Sequence, residues 1–279
     1  MIPMQPSRTA FATAMYRAAH QELDEGRLFA DPYAMRILGS AALRQRALEF
    51  AAARPLMRFF ITVRSAIAEA KLAEAMARGT RQIVVLGAGL DTLSVRNPFP
   101  DATIYEIDHP ATQAWKQQRL SDAGMAPGLN AKFVPVNFEH DTLEEQLAAA
   151  GFDRASPAFF VWLGVVPYLT DAAIFATLGY LASIPGSETV FDYANPLEQL
   201  PREMAAAAHK RAKRVAALGE PFISAFDTAQ LHERLRGLGA IGIDDFGPVR
   251  LAAMHGREAP GDAGGHIVHV AFAGRPDAD

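Results

Sequence analysis

The chain contains no cysteine. That excludes disulfide staples, thiolate nucleophiles and every metal or iron–sulfur site built on cysteine. Neither sign of charge dominates: 27 Lys and Arg stand against 31 Asp and Glu, a net charge of −4. Such a balance gives no bulk attraction to nucleic acid. Residues 1–80 do hold 11 basic against 7 acidic side chains, a local excess of +4, which is read as an Arg-rich helical surface. No apolar run approaches the ~20 residues of a membrane span. Met1-Ile2-Pro3-Met4-Gln5-Pro6 has no charged segment leading into an apolar one, so no signal peptide is expected. A cytoplasmic location without membrane contact is the corresponding expectation. Metal-ligand spacing is also missing, since His266 and His269, three apart in a strand candidate, project to opposite faces. There are no internal repeats.

What the chain does have is 279 residues, half of them hydrophobic, enough for one large domain or a domain with an extension. The most informative stretch is Ile83-Val84-Val85-Leu86-Gly87-Ala88-Gly89-Leu90-Asp91-Thr92. Four aliphatic residues running into Gly-x-Gly predict a buried parallel strand that ends in a tight turn beneath a ligand. Glycine at 87 and 89 lets the backbone turn sharply and approach that ligand. A second apolar run, Ala102 to Asp108, ends in carboxylates, and Asp108 follows Gly87 by 21 residues. An acid about 20 residues on, at the end of the second strand, is placed to meet ribose hydroxyls. Glu106 and Asp108 are two apart in that strand, so they share a face, and either could make the paired ribose bonds.

Dinucleotide folds prefer a third Gly or Ala where this chain has Thr92, and Asp91 stands beside it. A carboxylate there is awkward for a pyrophosphate but tolerable for a ligand without phosphate that carries an amino or sulfonium cation. S-adenosylmethionine fits that description and NAD does not. Asp91 would hold water or the amino group of such a ligand, or cap the following helix, or do both.

Strand and helix signals alternate from residue 82 to about 192. Strands are predicted near 82–87, 103–108, 132–136, 158–163 and 188–192, with helices such as 111–122, 142–150 and 171–183 between them. That rhythm means a doubly wound α/β fold with a mostly parallel sheet. Residues 10–78 read as helices, and Pro55 opens a stretch through Arg78 that Gly79 closes. The predicted organisation is therefore a helical N-terminal cover over residues 1–80 and a core over 81–279. A helical insertion at 196–220 interrupts the β–α rhythm. Two last strands fall near 240–246 and 266–273, joined by a Gly- and Pro-rich loop at 255–265.

The ordered set of motifs resembles the leucine carboxyl methyltransferase-like family, in its bacterial branch. Leu86 to Thr92 with Arg96 looks like its first motif, and Tyr105-Glu106-Ile107-Asp108-His109-Pro110 its second. Val134-Pro135-Val136-Asn137-Phe138 matches the third, and Phe160 to Leu169, Phe-Val-Trp-Leu-Gly-Val-Val-Pro-Tyr-Leu, the fourth. Phe191-Asp192-Tyr193 matches the segment after the fifth strand, and Thr9-Ala10, Asp31-Pro32-Tyr33-Ala34 and Val63-Arg64-Ser65 resemble the N-terminal helical extension. The resemblance covers nearly the whole chain. It implies a Rossmann-like class I methyltransferase that uses S-adenosylmethionine as cofactor.

It also implies roles. Asp108 is favoured for the ribose, and Arg64, on an otherwise apolar helical face, for gripping the cofactor's carboxylate through a bidentate fork. Gly87, Gly89 and Asp91 would face the methionyl part, with Trp162, Leu163 and Gly164 beside the amino and sulfonium groups. Asn137 and Phe138 lie where the family often has an acid and an apolar residue touching adenine; an Asn oxygen can still accept from the adenine amine. Leu163 departs from the Glu that the leucine carboxyl methyltransferases proper have there, which argues against a protein carboxylate as substrate. Tyr168 and His109 are the candidates for assisting the reaction. The expected function is O-methylation of a small-molecule carboxylate or acidic hydroxyl. A natural-product hydroxyl methyltransferase, an NAD-linked oxidoreductase and a non-catalytic nucleoside-binding protein are the rivals. Self-association is left open.

Overall fold

The structure is a computed structural model that describes residues 7–137 and 141–274. It contains two compact units, residues 1–152 and 153–279.

The first unit combines the N-terminal helices with three strands. Helix α1 (Arg8–Leu23) starts at Ser7, whose hydroxyl accepts from the Ala10 amide. It is followed by a short α2 (Ala34–Ile37), by α3 (Ala41–Ala52), capped by Ser40, and by α4 (Pro55–Ala77). Pro55 opens α4 at a position that needs no amide donor. Gly79, at φ +108°, takes the left-handed turn just after its end. Small residues let α1 pack closely on its neighbours: Ala14, Ala18, Ala34 and Ala47 share a cluster with Ile37, Leu38 and Leu90.

Strand β1 (Gln82–Leu86) is buried along its whole length. After it come α5 (Leu93–Arg96), β2 (Thr103–Asp108), α6 (Pro110–Asp122), β3 (Ala131–Pro135) and α7 (Leu143–Ala149). β2 lies between β1 and β3, parallel to both; Leu86 is level with Ile107, and Asp108 with Pro135. The carboxyl ends of β1 and β2 therefore fall side by side.

The second unit opens with β4 (Ala158–Trp162), a 3₁₀ turn at Val166–Tyr168, α8 (Asp171–Ala182) and β5 (Glu188–Ala194). Thr170 caps α8, which buries Ile174, Leu178, Leu181 and Ala182 along one stripe. Next come a 3₁₀ turn at Leu197–Gln199, α9 (Arg202–Ala216), α10 (Thr228–Gly237), β6 (Ala240–Phe246), α11 (Pro248–Ala253) and β7 (Gly265–Phe272). β4 and β5 are parallel, while β7 runs antiparallel to both β5 and β6. The predicted insertion at 196–220 thus contains α9, which has no buried residue. Helix α10 is an element beyond the sequence reading; Asp227 caps it, and Leu231 and Leu235 anchor it. Among the described residues, no helix is long and apolar enough to cross a membrane.

Candidate functional site

The first unit brings the glycine turn and the second-strand acid together. Gly87 and Gly89 both have positive φ, +65° and +47°. The Gly89 amide donates to Asp108 Oδ2 at 2.5 Å, and the His109 amide donates to Oδ1 at 2.7 Å. Burial pushes the Asp108 carboxyl above its ordinary range, and those two bonds only partly offset it. A carboxylate offers about four lone-pair sites, so each oxygen keeps capacity for another donor. The turn is also tight against the N-terminal helices: a Cβ on Gly89 would lie 3.0 Å from Ala10 of α1.

Asp91 is the centre of a charged network. Its Oδ1 accepts from the amide of Leu93, the first residue of α5, and its Oδ2 meets Arg17 Nη1 at 2.7 Å. Burial raises its pKa, but the charges of Arg17, Arg96 and Lys116 outweigh that and leave it below the usual value. Arg17 also donates to the Leu90 carbonyl at 2.7 Å. Thr92, fully buried, donates to Asp31 at 2.6 Å. Arg96 forks onto Glu69 of α4, with Nη1 to Oε2 at 2.7 Å. Three N-terminal side chains, Arg17, Asp31 and Glu69, thereby tie the helical segment to the residues that follow the glycine turn. The electrostatic case against a phosphate ligand weakens accordingly, because the Asp91 charge is balanced by Arg17.

Glu106, which strand alternation puts beside Asp108, is enclosed instead of open. Its carboxylate lies 2.6 Å from Lys116 Nζ of α6, with both side chains 1% exposed. Burial raises its pKa, and Lys116 works against that rise. Arg64 is buried at 5% exposure on α4. His109 caps α6: its Nδ1 accepts from the Ala111 amide at 3.2 Å. That bond commits Nδ1 to the main chain. Asn137 is half-buried; its amide donates to Asp141 Oδ2 at 2.8 Å, and its carbonyl accepts from the Asp141 amide at 2.7 Å. Phe138 lies outside the described residues.

In the second unit, Trp162 is 2% exposed and packs on Phe191 with ring centroids 6.0 Å apart. Leu163 is half-buried, and Gly164 turns the chain at φ +74°. The Gly164 amide donates to Asp192 of β5, which is itself buried. Tyr168, half-buried, ends the 3₁₀ turn and sits 5.1 Å from the Phe222 ring. Arg211 of α9 lies over the other aromatic of that pair, 5.0 Å from the Phe222 centroid. The 3₁₀ turn is fixed to the segment after α9: Ile223 and Ser224 donate to the Pro167 carbonyl at 2.8 and 3.3 Å.

A buried polar cluster that sequence reading missed closes the carboxyl end of β5. Asp245 of β6 accepts from Tyr193 at 2.6 Å and contacts His232 at 2.7 Å and His266 at 2.8 Å. Asn195 links His266 to the Phe226 carbonyl and the Gly264 amide. Burial and the neighbouring Asp245 charge drive the Tyr193 hydroxyl pKa far up, so it serves as a donor. The other strand histidine, His269, faces away from this cluster and bonds Glu188 at 2.7 Å. Among the described residues, no group of His, Cys, Asp and Glu is arranged to hold a metal.

Comparison with known proteins fits this geometry. The family profile described as Leucine carboxyl methyltransferase matches residues 10–182. YktD of Bacillus subtilis (strain 168), provisionally named an S-adenosyl-L-methionine-dependent methyltransferase, is 32% identical over 189 residues, 66% of this chain and 62% of that protein. A protein of Mycobacterium avium (strain 104) with the same provisional name is 35% identical, over 59% of this chain and 57% of that protein. The match thus spans about three fifths of these relatives. A solved structure provisionally titled a methyltransferase, from Thermobifida fusca YX, superposes with a TM-score of 0.55 at 18% identity, over 96% of this chain and 95% of that one. A DUF574 family protein from Streptomyces avermitilis MA-4680 gives 0.55 at 16% identity, over 94% and 97%. These two superpositions show an α/β fold shared with this chain, whose strands pair mostly in parallel.

Proposed function

The chain belongs to the leucine carboxyl methyltransferase family, and from that premise we propose that it is an S-adenosylmethionine-dependent methyltransferase acting on an oxygen of a small molecule, a carboxylate or an acidic hydroxyl. The observation that carries this reading is the junction of Gly89 with Asp108. A desolvated carboxylate with spare acceptor capacity, held against a turn of two positive-φ glycines, suits the adenosine end of the cofactor. Asp108 accepts from the ribose hydroxyls, Arg64 receives the methionyl carboxylate, and Asn137 lies toward the base. S-adenosylmethionine supplies an electrophilic methyl group on sulfonium.

A carboxylate acceptor is already ionised at neutral pH and needs no general base. The His109 cap, which occupies Nδ1, favours that acceptor over a hydroxyl that must lose a proton. Catalysis then rests on positioning and on exclusion of water. The lack of a side-chain acceptor at Leu163 supports a small acceptor rather than a protein terminus.

Calorimetry with S-adenosylhomocysteine and NAD tests the cofactor; binding of NAD but not S-adenosylhomocysteine would overturn the reading. Isotopic methyl transfer to panels of carboxylic acids and phenols then tests the acceptor. Base-labile methyl esters are expected, whereas base-stable ethers would move the assignment to hydroxyl O-methylation.

A further inference from the structure

A cleft of about 610 Å³ in the first unit lies between the α2–α3 connection and the second half of α6. Three of its lining residues are Arg36, Arg44 and Arg119, and Trp115, Leu43 and Ile37 give it an apolar wall. Each guanidinium is held by main-chain carbonyls only. Arg36 donates to Ala123 at 3.1 Å and Arg44 to Gly39 at 3.0 Å, while Arg119 Nη1 donates to Ile37 at 3.1 Å and Leu38 at 2.9 Å. Among the described residues, none of the three has a carboxylate at ion-pair distance. Arg119 Nε is buried without a hydrogen-bond partner, and burial pulls its pKa down against the charge of Asp122. The single acid lining the cleft, Asp122, is bonded to Gln118 at 2.7 Å.

This is an unusual state for three arginines. A guanidinium has five donors, and the carbonyls above use one nitrogen of each. The carbonyls fix the direction of the side chains without neutralising them. Arg119 also lies over two adjacent aromatic rings, 5.1 Å from the Phe11 centroid and 5.0 Å from that of Trp115. The result is a preorganised positive cleft with an aromatic wall, the combination that favours an anion bearing an apolar group. It is separate from the glycine turn. α6 begins beside Asp108 and is about 20 Å long, and the cleft is lined by its later residues, Trp115 to Asp122.

We propose that this cleft is a binding site for a small organic phosphate, with the phosphate held by Arg36, Arg44 and Arg119 and the organic part against Trp115. The inference does not rest on the methyltransferase reading. The test is calorimetric titration of phenyl phosphate into the protein saturated with S-adenosylhomocysteine, so that the cofactor turn is filled. Phenyl phosphate is expected to bind, and phenol, its uncharged counterpart, is not. Arg36→Gln and Arg44→Gln change exposed side chains and should melt like the wild type. Each is expected to weaken binding by about tenfold or more, the usual consequence of losing a charge-assisted contact. Lys210→Gln on the basic helix α9 should leave affinity unchanged. The proposal fails if phenyl phosphate does not bind at ten millimolar, if phenol binds equally well, if both arginine variants keep wild-type affinity, or if Lys210→Gln is the variant that loses binding. Should S-adenosylhomocysteine itself not bind, the titration on the unliganded protein still tests the cleft.

Discussion

Replacing Lys116 with Met removes a buried ammonium while keeping a stem of similar length. Lys116 and Glu106 are 2.6 Å apart and each is 1% exposed. At an effective dielectric of 20 their gross attraction is about 6 kcal/mol, most of it offset in the wild type by the cost of burying both charges. Lys116→Met keeps the cost for Glu106 and discards the attraction, so a loss of about 3–5 kcal/mol is expected near pH 8. The pH dependence is the sharper test. Burial already holds the Glu106 pKa above its usual 4.5 in the folded protein, and Lys116 opposes that rise. Without Lys116 the folded pKa climbs further. A raised folded pKa means that the neutral carboxyl suits the fold. Its contribution is complete below the unfolded value and is lost as pH rises through the folded one. The deficit of Lys116→Met should therefore shrink at pH 5 relative to pH 8. Glu106→Gln combined with Lys116→Met should recover most of the loss, to within about 1–2 kcal/mol of the wild type. Urea unfolding followed by circular dichroism at both pH values measures all of this. A deficit below about 1 kcal/mol, or one equal at the two pH values, would refute the assignment of Glu106 as a buried charge held by Lys116.

Asp108→Asn should weaken S-adenosylhomocysteine binding by about 1.5–3 kcal/mol through loss of charge-assisted bonds, and lower the melting temperature, because one of the Gly89 and His109 amides loses its acceptor. Because the Asp108 pKa is raised in the unliganded protein, wild-type affinity should decline as pH falls through that raised value, and a calorimetric pH series on Asp108→Asn should lack the decline. Asp245→Asn removes the charge shared by Tyr193, His232 and His266 and should cost about 2–4 kcal/mol in urea unfolding at pH 7. Burial raises the Asp245 pKa but its hydrogen bonds lower it overall, so the wild-type advantage is present above pH 3.8 and narrows only as pH falls below it; an advantage that vanishes at pH 5 would contradict this.

The strands were the most legible part of the sequence. Four aliphatic residues before Gly87 define β1 within one residue, because a strand buried on both faces leaves a continuous apolar run. Pro55 and Gly79 bracket α4 through backbone chemistry that holds in any tertiary context. Helix α10 was less visible. Its two anchors, Leu231 and Leu235, stand among charged residues, and the Asp227 cap looks like any loop aspartate until the helix after it is known.

At the site, local pattern reached as far as the strand ends and no further. Alternation gave Glu106 and Asp108 a common face, and that parity is a property of any strand. What separates them is depth. Asp108 sits at the strand end, where the Gly89 and His109 amides reach it, whereas Glu106 lies two residues inward under α6 and Lys116. The partner's position in sequence, ten residues later on a helix, carries no signal unless a lysine flanked by Thr112 and Leu120 at helical spacing is read as facing inward. The same holds for Arg17 and Asp91, which are 74 residues apart and meet only because α1 packs its small residues close to the glycine turn. Long-range ion pairs of this kind decide which strand-end acids are free for a ligand. Asp91 and Glu106 meet Arg17 and Lys116 of the helices around them, whereas Asp108 accepts from the Gly89 and His109 amides and its carboxyl is pushed up by burial.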